Sequence, residues 1–352
     1  MKRCSIFGVR TITTVDDIAT SRPDDLIRPE RSGLWCARGG FSIDPRSAVP
    51  LAVITHAHAD HATSGCERYI ATPHTAALLR VRLGRDIVVD ELDYGSELHL
   101  GDTRISLHPA GHVLGSAQVR VEAPNEPVWC VSGDYGTQPT PTAERFEVVP
   151  CDVFVTESTF GLPLFRWPDA DAVAEQMRTW CAQNAAAGQT SVLLAYSLGK
   201  AQRVLAAIDA VTQPIGVHGA VRNISAVYTD CGVMLPDTLH ASAENAGELR
   251  GRGVVVAPPS QAGTPWLRRF AGPSGMRTAM VSGWMTLRGR RRWQSLDSGF
   301  VLSDHIDWPA LLDTIARTGA RRIGVTHGYV RPLARYLREE RGLDAFVLPT
   351  RW

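Results

Sequence analysis

The chain has 352 residues, of which 44% are hydrophobic and 21% are charged, with a formal net charge of +1. No apolar run is long enough to cross a bilayer, so the composition excludes a membrane-spanning protein, and the charge gives no overall attraction for a polyanion. The length exceeds one ordinary core, and we expect two compact units. Seven cysteines without a CxxC pair indicate free thiols and a cytoplasmic protein. Arg10 interrupts the first apolar run, so we expect no signal peptide.

Three histidines and one aspartate lie within six residues, directly after a predicted buried strand at 51–54. They are His56, His58, Asp60 and His61. Imidazole and carboxylate groups are ligands for zinc-like or manganese-like ions. Because His56 and His58 are two residues apart, an extended backbone can direct both towards one ion. Asp60 and His61 follow the bend and can reach a second ion.

Four further strands or loops end in a histidine or a carboxylate. These residues are Asp44, His112, Asp134 and Glu157. Between the first two of them, a helix is predicted at 75–82. Open α/β sheets place their sites at the carboxyl ends of strands. The four residues are therefore expected to converge on the histidine cluster.

The pattern changes after Pro163 and becomes an alternation of helices and strands. A helix is predicted at 170–187 and a strand at 191–195, followed by a turn at 197–199 that contains Ser197 and by a helix that begins near Lys200. The alternation predicts βαβ units with a parallel sheet. The helix that begins near Lys200 could hold a phosphate at its N-terminus. A plain turn between strand and helix is an equal alternative.

An arginine-rich stretch follows near the end of this region. Its residues are Arg288, Arg290, Arg291 and Arg292, beside Trp284 and Trp293. Guanidinium groups and aromatic faces suit a phosphate-bearing polymer, although a solvated basic loop is an alternative. The first pattern then returns, with predicted strands that end before His305 and His327.

The HxHxDH stretch from His56 to His61 resembles the signature of the metallo-β-lactamase superfamily. His112 and Asp134 match its third and fourth motifs. In simple members the last histidine ligand follows the aspartate closely, whereas here His327 lies 193 positions after Asp134. The intervening βαβ units make the arrangement similar to that of the β-CASP nucleases.

The motifs of that branch are also present. Glu157 resembles its acidic motif A, His305 its motif B and His327 its motif C. The branch contains Artemis-like DNA nucleases, the pre-mRNA 3′-end endonuclease and ribonuclease J. Over residues 24–350 the length and motifs are most similar to the bacterial ligase-associated DNA exonuclease family.

The resemblance implies an α/β fold, a metallo-β-lactamase αββα sandwich with an inserted β-CASP α/β domain. The implied segments are an N-terminal extension at 1–23, a first part of the core at 24–162, the inserted domain at 163–297 and a second part of the core at 298–352.

The resemblance also implies a site for two divalent cations, Zn²⁺ ahead of Mn²⁺. The ligands of the first ion would be His56, His58 and His112; those of the second would be Asp60, His61 and His327; Asp134 would bridge both. The catalytic set would be Asp60, Asp134, His305 and Glu157, and the substrate contacts would be Ser197, Lys200, Arg288 and Arg290.

Three of these residues have more than one interpretation. We expect Asp44 to hold a histidine ring in its tautomer, with turn capping as an alternative. His305 would protonate the leaving oxygen or contact the phosphate, with Glu157 orienting it. A buried structural imidazole and a surface acid are the respective alternatives.

The implied function is a metal-dependent DNA exonuclease that hydrolyses phosphodiester bonds in DNA repair, working with an ATP-dependent DNA ligase and a helicase. The resemblance favours cleavage in the 5′ to 3′ direction. DNA-acting relatives of the Artemis type generally lack a histidine at motif C, so His327 keeps an RNA nuclease open as the alternative. A small-molecule hydrolase is a further alternative, although it would have no use for the inserted domain.

Overall fold

The computed structural model describes residues 21–287 and 296–349. The predicted extension at 1–23 lies almost wholly outside the described residues, as do Arg288 and Arg290. Within the described part, no helix combines the length and the apolar character needed to span a membrane. Six cysteines of this part have free thiols, as the sequence predicts.

The first sheet has six strands and one helix that packs against it. In chain order they are β1 Ile27–Glu30, β2 Gly33–Cys36, β3 Phe41–Ile43, β4 Leu51–Val53, β5 Arg68–Ala71, α1 Pro73–Leu83 and β6 Val89–Glu91. Strands β1 to β3 are antiparallel, and β3 to β6 are parallel. The predicted strand at 51–54 and helix at 75–82 are both present. Helix α1 begins where the Thr72 hydroxyl accepts a hydrogen bond from the Thr75 amide and Pro73 takes the first helical position.

The next five strands belong to a second sheet. They are β7 Glu97–Leu100, β8 Thr103–Pro109, β9 Ala117–Glu122, β10 Trp129–Val131 and β11 Val153–Ser158. The chain then leaves this sheet and forms the predicted alternation of helices and strands. These elements are α2 Ala170–Ala186, β12 Thr190–Leu194, α3 Lys200–Ala207, β13 Ile215–Val217, α4 Gly219–Asp230, β14 Leu239–His240, α5 Ala246–Leu249, β15 Val254–Ala257, α6 Pro265–Arg268, β16 Met276–Val281 and β17 Ser298–Phe300.

The last four elements complete the second sheet. They are α7 Trp308–Thr318, β18 Arg322–Gly328, α8 Val330–Arg341 and β19 Asp344–Val347. The strand order of the second sheet is β19-β18-β11-β10-β9-β8-β7. Strand β18 therefore returns beside β11 after the long excursion, and the two pair in parallel.

The first two sheets face each other and form the predicted αββα sandwich. Side chains such as Phe41, Ile43, Val119 and Trp129 fill the space between them. Helices α7 and α8 cover the outer face of the second sheet. Helices α1 and α4 cover the outer face of the first sheet, so one helix of the excursion also packs on the core.

The third sheet has the order β14-β13-β15-β12-β16-β17, and all its strand pairs are parallel. Helices α2, α3 and α4 cover one face, and α5 and α6 cover the other. Strand β17 pairs with β16 in this sheet, whereas the predicted boundary assigns 298–352 to the core. The three-residue strand is an edge strand that completes the third sheet before the chain returns. The division into domains stays a prediction.

Candidate metal centre

Carboxyl ends of parallel strands meet at one edge of the sandwich. Asp44 follows β3 and His56 follows β4, while Asp134 follows β10 and Glu157 lies near the end of β11. His327 lies near the end of β18, which is parallel to β11. Because β3 pairs in parallel with β4, and β10 and β18 pair in parallel with β11, the sheet geometry delivers these residues to one place.

The first histidine group consists of His56, His58 and His112. Nδ1 of His58 lies 3.0 Å from Nε2 of His56 and 3.1 Å from Nε2 of His112. Oδ2 of Asp134 lies 3.7 Å from the His56 nitrogen and 3.8 Å from the His112 nitrogen. A tetrahedral ion with bonds of about 2.0–2.1 Å keeps its ligand atoms about 3.3 Å apart. The nitrogen and oxygen atoms of this group therefore fit a divalent cation.

In each ring of this group, the nitrogen on the far side from the centre is hydrogen-bonded to an oxygen atom that can only accept the hydrogen. Nε2 of His58 donates to the Leu198 carbonyl at 3.1 Å, and Nδ1 of His112 donates to the Asp304 carbonyl at 3.1 Å. The Thr55 hydroxyl donates to Asp44 at 2.6 Å, so it accepts the hydrogen bond from Nδ1 of His56 at 3.1 Å. Each neutral ring therefore turns an unprotonated nitrogen towards the centre.

The electrostatics agree with these tautomers. Burial is the largest influence on all three rings, and it lowers the pKa of His58 and lowers that of His56 and His112 further. Neighbouring imidazoles add to the effect. The first histidine group is therefore neutral at pH 7, as metal ligation requires.

The second histidine group consists of His61 and His327, on the other side of Asp134. Nε2 of His61 lies 3.4 Å from Oδ2 of Asp134, and Nδ1 of His327 lies 3.1 Å from Oδ1. Nδ1 of His61 donates to Oδ2 of Asp44 at 2.7 Å. Asp134 thus presents one oxygen to each histidine of this group. These three residues form a second set that could hold a cation.

Carboxylates dominate the charge balance of the second group. Burial alone would lower the pKa of His61, but Asp134 and Asp44 outweigh it and raise the pKa well above its usual value. Burial also lowers the pKa of His327 and Asp134 raises it, and the net shift is upward. Asp134 is itself buried, which would raise its pKa, but the surrounding imidazoles hold the pKa well below the usual range.

The backbone is strained at two residues of the centre. Asp44 has φ 45° and His327 has φ 50°, in the left-handed region that non-glycine residues rarely adopt. The Asp44 carboxylate accepts hydrogen bonds from the Thr55 amide at 2.8 Å and from His61, which hold the conformation in place. Such strain is typical of functional sites.

His305 and Glu157 form an ion pair beside Asp134. Nδ1 of His305 lies 2.9 Å from Oε2 of Glu157 and 4.0 Å from Oδ2 of Asp134. Glu157 also accepts from the Tyr135 amide at 2.8 Å and from the Thr159 hydroxyl. Burial would lower the pKa of His305, but the two carboxylates raise it to about 9. Glu157 is 1% exposed in its side chain, and His305 is 22% exposed.

Three residues predicted for the site stand apart from these groups. Asp60 is half exposed, and its Oδ2 lies 4.0 Å from Nε2 of His61. Lys200 is buried, with its ammonium 2.8 Å from Oδ1 of Asp304, so its charge is paired inside the protein. Ser197 is half-buried in the turn before α3.

Sequence reasoning missed the residues that orient the rings. Asp304 and Leu198 act through main-chain carbonyls, which every residue type has, so no sequence signal marks them. Arg203 is buried and donates to the Asp304 carboxylate at 3.3 Å. Its position one turn after Lys200 on a helix was an available signal, because residues three apart share a face.

Several known proteins are similar to this chain in sequence. No family model matches the chain. A protein named "Probable DNA ligase" from Opitutus terrae is 31% identical over 90% of this chain. "RNase aCSPSF2" from Saccharolobus solfataricus is 27% identical over 47% of this chain, and an "RNase J-like protein" from Methanocaldococcus jannaschii is 24% identical over 51%.

The chain spans half or less of the length of these three relatives: 30%, 37% and 50%, respectively. A solved structure of a protein of unknown function from Enterococcus faecalis V583 superposes with a TM-score of 0.58. It covers 86% of this chain and 79% of that chain at 12% identity, a likeness that shows the fold alone. The αββα sandwich, the histidine and carboxylate cluster and these relatives together identify the chain as a member of the metallo-β-lactamase superfamily, in its β-CASP nuclease branch.

Proposed function

We propose that this protein is a metal-dependent nuclease that hydrolyses phosphodiester bonds. The observation that carries the proposal is the position of Asp134, with one carboxylate 3.1–3.8 Å from ring nitrogens of both histidine groups. Two cation sites that share a carboxylate are the arrangement of many phosphodiester hydrolases. Asp60, half exposed beside His61, completes the ligand set of the second ion in this proposal.

The protein's own residues would fix the donors before the substrate arrives. Divalent cations bound here would supply an acidified water and neutralise negative charge on the phosphate. The rings of the first histidine group are neutral, and each turns an unprotonated nitrogen towards the centre. Cation binding therefore displaces no proton from them. Asp44 would hold His61 through its Nδ1, which leaves Nε2 directed at the second site.

His305 is the proposed proton donor to the leaving oxygen. Its Nδ1 lies 4.0 Å from Asp134 and 2.9 Å from Glu157, which fixes the ring. Its partial exposure leaves a path to a substrate at the mouth of the site. A proton from His305 would neutralise the alkoxide that leaves as the P–O bond breaks.

DNA is the proposed substrate class, with exonucleolytic cleavage in DNA repair. The relative named as a probable DNA ligase is matched over 90% of this chain, which supports association with a DNA ligase. The ATP dependence of that ligase and a helicase partner stay predictions. RNA is the second candidate, favoured by the two relatives named as RNases and by the histidine at position 327. Both of those matches cover about half of this chain. The 5′ to 3′ direction and a cytoplasmic location stay predictions.

One assay tests substrate and polarity together. Matched single-stranded DNA, duplex DNA and RNA, each labelled at either end, are incubated with protein reconstituted with Zn²⁺ or with Mn²⁺. We expect stepwise shortening of DNA with both ions tested and loss of cleavage with a chelator. Cleavage of RNA alone would replace DNA by RNA in the proposal. Turnover of a thioester with no cleavage of any nucleic acid would overturn it.

A further inference from the structure

Two rings of the first histidine group are oriented by segments that adjoin the third sheet. The Leu198 carbonyl, which holds His58, lies in the turn between β12 and α3. The Asp304 carbonyl, which holds His112, lies in the segment that leaves β17 and returns to the core. Neither carbonyl belongs to the turn that carries the HxHxDH stretch.

The Asp304 carboxylate is fixed by two buried cations from α3. Nζ of Lys200 lies 2.8 Å from Oδ1, and Nη1 of Arg203 lies 3.3 Å from the same oxygen. The three side chains are only 6–8% exposed. Arg203 also donates to the Ser303 carbonyl and to Gln138. Buried charges are costly unless they are paired, so this cluster is satisfied only while α3 is docked against the returning segment.

The turn before α3 also fits closely against the loop that carries His112. Gly199 has φ +83°, and a Cβ built there would lie 2.2 Å from Cγ1 of Val113, the residue after His112. No side chain larger than a hydrogen atom fits at this position without displacing the loop. The turn that presents the Leu198 carbonyl is therefore held on both sides, by Val113 and by the Asp304 cluster.

We propose that Lys200 and Arg203 are positioning residues for the metal centre. Through Asp304 and the Leu198 turn they fix the rings of His112 and His58, so the cation affinity of the first histidine group depends on docking of the third sheet. The inference rests on cation binding by this group, which is part of the proposed function. It assigns Lys200 a protein partner in place of a substrate phosphate.

The test is the Zn²⁺ affinity of Lys200→Met, measured by competition with a chelator in the absence of nucleic acid. In this variant Arg203 still neutralises Asp304, so we expect the protein to fold. Loss of an outer partner of a metal ligand typically weakens binding 10- to 100-fold, and we expect about a 10-fold loss here. A His58→Ala reference identifies which of the two measured affinities belongs to the first histidine group.

Further variants separate positioning from general loss of structure. Lys200→Gln keeps a donor for Asp304, so its affinity is expected to lie between those of wild type and Lys200→Met. Arg317→Met removes a cation of α7 that pairs with Asp313 on the surface, and its affinity should equal that of wild type. The visible absorption of bound Co²⁺ should change for Lys200→Met and not for Arg317→Met, because the spectrum reports ligand geometry. Circular dichroism checks the fold of each variant.

The outcomes distinguish this inference from the proposed function. Wild-type protein that binds no divalent cation would overturn both. Wild-type protein that binds two cations, with Lys200→Met and Lys200→Gln within twofold of its affinities and an unchanged Co²⁺ spectrum, would overturn the positioning role alone. Equal losses in Lys200→Met and Arg317→Met would also overturn it.

Discussion

The two histidine groups on either side of Asp134 differ in what holds their rings. In the first group the outer nitrogens donate to a hydroxyl and to two main-chain carbonyls, which carry no net charge. In the second group His61 donates to the Asp44 carboxylate, and Nδ1 of His327 faces Asp134 itself. The pKa values follow this division, lowered in the first group and raised in the second.

The difference teaches how one carboxylate can serve two sites. Neutral acceptors orient an imidazole without stabilising its protonated form, so burial keeps the first group ready for a cation. A carboxylate orients the ring more strongly but also favours its proton. We therefore expect the first group to depend on the placement of distant backbone, and the second group to depend on nearby charge. Three substitutions test this contrast, in order of decreasing effect.

Asp134→Ala removes the residue that the two groups share. We expect nuclease activity to fall by on the order of 10³-fold or more, since loss of a single preorganised contact can already cost 10²- to 10³-fold. Both cation sites should weaken, as metal analysis would detect, while circular dichroism stays that of a folded protein. Wild-type rates in the variant with metal restored would contradict the shared role of Asp134.

His305→Ala removes a group that stands beside both sites and, in our proposal, binds neither ion. Loss of a general acid typically costs 10²- to 10⁴-fold in rate, and we expect a loss of about 10²-fold. Two bound cations should remain per chain. His108→Ala is a matched control, because His108 also pairs with a glutamate, Glu147 at 3.4 Å, and should leave the rate unchanged. If one cation were lost with His305, that residue would be a ligand.

Asp44→Asn removes the carboxylate charge that faces His61 in the second group. Asparagine tolerates positive φ as aspartate does, so the backbone at this position is not further strained. We expect the affinity of the second ion to fall about 10-fold or more, within the range for outer partners of metal ligands. The affinity of the first ion should fall less, because His56 contacts Asp44 only through the Thr55 hydroxyl. Equal losses at the two sites would contradict the contrast between the groups.

Part of the centre was predictable because its signals are local. The spacing of His56, His58 and His61 after a short buried strand is enough to predict a cluster, and the structure gathers their rings with ring centroids 4.1–4.7 Å apart around His56. The alternation after Pro163 predicted a parallel sheet, and β12 to β17 form one. The ligand roles themselves stay predictions.

Two contacts between distant segments could not be predicted from local sequence patterns. The position of Lys200 at the start of a helix is compatible with a phosphate contact or with a plain turn, and the sequence holds no sign of its burial 2.8 Å from the Asp304 carboxylate. Strand β17 directly precedes the segment that carries His305, and its pairing with β16 depends on which sheet edge lies nearby. Edge pairing is a property of the assembled sheet and leaves little trace in three residues.

The sequence by itself determined that three histidines and a carboxylate cluster after a short buried strand and that helices and strands alternate after Pro163, because residue spacing and hydrophobic periodicity are local properties of the chain. Only the tertiary structure decided which nitrogen of each ring faces inwards. That choice depends on acceptors such as the Leu198 and Asp304 carbonyls, which are common to all residues and reach the rings only after a separate sheet has docked.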